Sequence, residues 1–120
     1  MKVQPGFTGI RHYKAAGETG KLPDIVVSGI NHGDNVTAQT VFASGTVAAA
    51  MQGAVMGVKA VAFSLAFPED RKISKTITSE EFAIASGFAK KISAYVLDKG
   101  LPIGVDYLNV NFPFEIRPNT

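Results

Sequence analysis

Residues 23–65 read PDIVVSGINHGDNVTAQTVFASGTVAAAMQGAVMGVKAVAFSL. Ile25, Val26 and Val27 form a short β-branched run, preceded by Pro23 and Asp24 and ended by Gly29, and such a run between turn formers reads as a buried strand. The polar residues Asn31, His32, Gly33, Asp34 and Asn35 follow, so the segment from Gly29 to Ala43 reads as a loop. Beyond it, Val47, Ala50, Met51, Ala54, Val55 and Val58 recur at spacings of three and four, which makes one apolar face of a helix with Ser44 at its N-cap. After a tight passage from Gly57 to Lys59, Ala60 to Leu65 is again short and apolar. Strand, loop, helix, strand is the unit that builds parallel sheets, with a right-handed crossover.

Outward from this unit, Pro68 ends the apolar run just after Phe67, and Glu69, Asp70, Arg71 and Lys72 open a surface loop that reaches Thr78. Thr78 and Glu81 then have the spacing of a capping box, and Phe82, Ala85, Phe88, Ala89, Ile92, Tyr95 and Val96 line one face of a second helix. Gly100 and Pro102 stop it. From Val105 to Phe112 the pattern alternates, with Leu108, Val110 and Phe112 on one side and Tyr107, Asn109 and Asn111 on the other, as in a strand. Residues 1–22 carry Pro5, Gly6, Gly9, Gly17 and Gly20 without sustained periodicity and read as loop. The tail from Pro113 to Thr120 reads as a rim segment or a cut end.

A chain of 120 residues with 46% hydrophobic content is sized for a single α/β domain with one core. The formal charge is +2, but the twelve Lys and Arg are spread along the chain, which argues against binding a nucleic-acid polymer. With no cysteine there is no disulfide, thiolate nucleophile or Cys-type zinc site, and a cytoplasmic setting is the default. The first twenty residues have no apolar central segment of the signal-peptide kind. Val41 to Phe67 is broken by Ser44, Gly45, Thr46, Gln52, Gly53, Gly57, Lys59 and Ser64, so it reads as buried core rather than a membrane span.

Ligands bind open parallel sheets at the carboxyl ends of the strands, where the loop from Gly29 to Ala43 is expected. At the helix start, Ser44, Gly45 and Thr46 offer two hydroxyls, close backbone approach and the positive end of a dipole to an anion such as phosphate. The same three letters also suit a plain N-cap with a glycine that eases packing. Asn31 and Asn35 bracket Gly33, with amide oxygens for a cation or amide nitrogens for a phosphate, although asparagine is equally a turn residue. His32 and His12 are candidate ligands or acid–base groups without spaced partners. Asp34 is the only carboxylate of the loop, and solvated turn acid is its ordinary reading. There is no GxSxG, Walker A, GxGxxG or HExxH motif.

PDIVVSGINHGDN followed by SGTVAAAMQGAVMGVKAVAFSL resembles the SurE family, and LNVNFP matches a second short motif of that family. The resemblance spans residues 23–113 and implies a Rossmann-type three-layer α/β core with a mostly parallel sheet, present here as an incomplete portion. It implies a nucleotidase or acid phosphatase that hydrolyses nucleoside 5′ and 3′ monophosphates with a divalent cation, magnesium or manganese, as a cytoplasmic homodimer or homotetramer. Asn31 of SGIN would ligate the metal, and Asn35, Ser44, Gly45 and Thr46 would hold the substrate phosphate. The family also carries an adjacent aspartate pair after its first strand and a serine ligand further on. Neither is found in this sequence, so no catalytic residue is identifiable and the chain is expected to be a fragment, split gene product or shortened relative supplying the phosphate-binding half of the site. A phosphate- or nucleotide-binding module without catalysis, or a core fragment without activity, is the alternative.

Overall fold

Alternation within the strands sorts the core into two sides of one sheet. A computed structural model of the chain describes residues 22–33, 36–66, 77–113 and 115–120. Strand β1 is Ile25–His32, followed by helices α1, Ala38–Ala43, and α2, Gly45–Val55. Strand β2 is Lys59–Leu65, helix α3 is Ser79–Lys99, and strand β3 is Leu108–Phe112. The strands pair in the order β1-β2-β3, and both pairings are parallel. On one face Val26, Ala60 and Ala62 pack with Val47 and Ala50 of α2 and with Val58. On the other, Val27, Ile30, Val61, Phe63, Leu65 and Phe112 pack with Ala85, Ala89 and Val96 of α3. Helix, sheet and helix form three layers, the Rossmann-type arrangement expected from the sequence.

Strand β1 is longer than the isoleucine–valine run alone implies, since it continues through Gly29 to take in Asn31 and His32. Gly29 makes this possible. Its φ is +116°, and a Cβ there would collide with the Phe63 carbonyl oxygen, so only glycine lets β1 lie this close to β2. The pairing register shifts between Ser28 and Asn31, then resumes with Asn31 opposite Ser64 and His32 opposite Leu65.

Four details depart from the periodic reading. Part of the expected loop is α1, whose N-cap Thr37 accepts a hydrogen bond from Thr40 N–H (3.1 Å) while Thr40 Oγ1 accepts one from Thr37 N–H (3.1 Å). Helix α2 buries Thr46, Val47, Ala49, Ala50 and Gly53, whereas Val55, placed on its apolar face by spacing, is 79% exposed. The small residues at 49, 50 and 53 let the helix sit close over Ala60 and Ala62, which turns its buried side toward them. In α3, Ser93 is fully buried and Tyr95 is 64% exposed, because a long side chain does not fit where the helix approaches the sheet. The last strand begins at Leu108 rather than Val105. The surface loop opening at Pro68 and the segment 1–21 lie outside the described residues.

Candidate functional site

At the carboxyl end of β1 the backbone turns sharply and is pinned in two places. Gly33, at φ +117°, donates its N–H to the Leu65 carbonyl (2.8 Å), which ties the turn to the end of β2. Asn31 Nδ2 donates to the Gly33 carbonyl (2.7 Å). This bond uses one of the two Nδ2 hydrogens of the half-buried Asn31 amide, whose other N–H and oxygen can still meet a ligand. Neither clamp is evident from the residues singly; the glycine two positions after Asn31 is the signal that was there to be read. Asn35 and Asp34 lie outside the described residues, as does His12.

His32 is exposed, and its ring meets Phe82 of α3 edge to face, with centroids 5.5 Å apart at 78°. Because β1 alternates, His32 turns toward α3 while Asn31 turns toward α2. The structure therefore separates these two candidates onto opposite faces of the sheet.

Ser44 joins two helices, serving as C-cap of α1 and N-cap of α2. Its N–H donates to the Val41 carbonyl (3.3 Å), and its Oγ accepts from Val47 N–H (3.2 Å). The cap reading of Ser44 thus holds, and the hydroxyl hydrogen is still available to donate. A helix leaves its first N–H groups without intrahelical partners. With Val47 satisfied by the cap, the N–H groups of Gly45 and Thr46 have no acceptor among the described residues. Gly45 is exposed and has no side chain to shield them, while Thr46 is only 3% exposed. Two N–H groups without an acceptor among the described residues, a hydroxyl able to donate and the positive end of the helix dipole share the start of α2, an arrangement suited to an anion.

A divalent cation is less well served. Magnesium and manganese are held by oxygen ligands that normally include carboxylates. Among the described residues no three His, Cys, Asp or Glu side chains are grouped so as to hold a metal ion. One amide oxygen, that of Asn31, is not a sufficient donor set, and these residues do not by themselves fit the metal that the resemblance implies. No described helix is long and apolar enough to cross a membrane.

Comparison with known proteins covers nearly the whole chain. A family model described as Survival protein SurE matches residues 7–120. A protein named 5′-nucleotidase SurE from Methanocella arvoryzae is 43% identical over 101 residues, covering 83% of this chain and 38% of the relative. The protein of the same name from Archaeoglobus fulgidus is 45% identical over 100 residues, covering 83% of this chain and 37% of the relative. The crystal structure of the SurE protein from Aquifex aeolicus superposes with a TM-score of 0.66 at 34% identity, over 92% of this chain and 40% of that one. This chain therefore spans well under half the length of the relatives it matches.

Proposed function

We propose, since this chain belongs to the SurE family, that it supplies the phosphate-binding half of a nucleotidase site, receiving the phosphoryl group of nucleoside monophosphates. The observation that carries this reading is the start of α2, where the Gly45 and Thr46 N–H groups have no acceptor among the described residues and the Ser44 hydroxyl can still donate. Fixed donors of this kind hold an anionic group in the ground state, and they stabilise it more as charge builds on its oxygens during transfer. Asn35, four residues after Asn31 in the sequence, belongs to the same proposed phosphate-holding set. The amide oxygen of Asn31 can accept, and its proposed role, which rests on the family, is toward a cation, magnesium or manganese, whose carboxylates come from outside the described residues. Hydrolysis, self-association as a dimer or tetramer and a cytoplasmic setting belong to the same reading, which rests on the family.

The want of a metal-holding group among the described residues favours a second reading, a module that binds phosphate without turning it over. Titration of the chain with inorganic phosphate in the presence of EDTA, followed by calorimetry, tests the site that both readings share. Saturable binding that weakens with salt is expected. Gly45→Val places a side chain over the free N–H groups and should weaken it about tenfold or more, the worth of hydrogen bonds to a charged group. Asn31→Ala should leave this metal-free binding unchanged. Absence of phosphate binding, or indifference to Gly45→Val, would overturn the reading; manganese-dependent turnover of AMP separates enzyme from module.

A further inference from the structure

The LNVNFP motif has so far no part in the site. In β3 its Leu108, Val110 and Phe112 join the core beneath α3. Asn109 and Asn111 therefore stand on the opposite face, the one covered by α2, as does Tyr107, which packs against the α2 cluster. Asparagine is depleted in strands because it packs poorly on a pleated surface. Here both positions on one face of a five-residue strand are asparagine, and both are half-buried.

The register shows what they adjoin. Asn111 lies opposite Ser64 of β2, and Ser64 lies opposite Asn31 of β1. Three polar residues thus form a row across the carboxyl end of the sheet, on the face that bears the start of α2. With strands spaced about 4.8 Å apart, the backbones of Asn31 and Asn111 stand about 10 Å apart. Between them β2 presents the small side chains of Ala60, Ala62 and Ser64, all of them fully buried. Helix α2 packs on β1 and β2, which leaves β3 one strand further across. Asn111 Nδ2 donates to Asn109 Oδ1 (3.3 Å), which holds the Asn111 amide in one orientation.

We propose that Asn111 is a further binding residue of this site, holding the sugar hydroxyls of a phosphomonoester whose phosphoryl group lies at Gly45 and Thr46. The inference rests on the phosphate reading above. An amide carries a donor and an acceptor and no charge, which suits a hydroxyl, itself both donor and acceptor. Its place one strand beyond the anion position suits the part of the ligand attached to the phosphoryl group. Asn109 is a positioning residue, acting through the amide of Asn111.

Inorganic phosphate and AMP, titrated separately into the chain with EDTA present, distinguish the two parts. The unmodified chain should bind AMP more tightly than phosphate. Asn111→Leu, close in size, should weaken AMP about tenfold while phosphate affinity stays within about twofold. Asn109→Leu should produce a smaller loss of the same kind. Unchanged phosphate affinity in the variants shows that they are folded and that the anion position is intact. Equal affinity of the unmodified chain for the two ligands, AMP binding indifferent to Asn111→Leu, or equal losses for AMP and phosphate would each overturn the inference. If phosphate does not bind at all, it is the phosphate reading that fails.

Discussion

Ser93 Oγ, buried on the inner face of α3, has no hydrogen-bond partner among the described residues, and neither has Ser28 Oγ on β1. A hydroxyl removed from water without a partner costs about 1–3 kcal/mol. Ser93→Ala removes that cost, creates little empty space and improves helix propensity. It is expected to stabilise the chain by about 1 kcal/mol, measured as a higher midpoint in urea with an unchanged slope. At this scale the sequence was readable where chemistry is local. The Asn31 of SGIN and the Ser44 cap could both be picked out, since each acts on atoms two or three residues away. Ser93 could not, because its burial depends on how closely α3 meets the sheet. Gly29 was legible as a strand breaker only, and its contact with the Phe63 carbonyl lies 34 positions away in the chain.

Among the elements, α3 has the most complete terminus. Glu81 N–H donates to Thr78 Oγ1 (3.2 Å), and Thr78 N–H donates to Glu81 Oε2 (2.9 Å). At the other end Gly100, at φ +79°, donates its N–H to the Val96 carbonyl (2.9 Å). Thr78→Ala removes one half of the box and should destabilise the chain by about 1 kcal/mol, read as a lower urea midpoint. Fraying of the first turn should also loosen Phe82 from His32, which a change in the His32 ring resonances would report. The box was legible as T-x-x-E ahead of an apolar face. The box of α1 was not, because Thr40 stands where the familiar signature has Glu or Gln and six residues are too few to establish a period. The end of α2 was misplaced for a related reason. Val55 and Val58 continue the spacing of three and four, but the helix stops at Val55, and Val58 is buried in the segment leading to β2.

For the whole molecule, β2 is the centre. It pairs with β1 on one edge and β3 on the other, and six of its seven residues are buried. Opening β2 must break both pairings and both cores, so its amides are expected to exchange most slowly with deuterium, near the global unfolding limit. The amides of β3, whose residues are mostly half-buried, should exchange faster. Comparable protection in the two strands would contradict this ordering. The sequence by itself determined the order of the main elements, the parallel sheet and the stretch that resembles SurE, because apolar period, caps and turn formers are written within a few residues of where they act. Only the tertiary structure decided the longer β1, the rotation of α2 and α3, the division of Asn31 and His32 between faces, and the alignment of Asn31, Ser64 and Asn111. Those outcomes depend on strand register and on the distance of approach between layers, which arise from contacts between residues far apart in the chain.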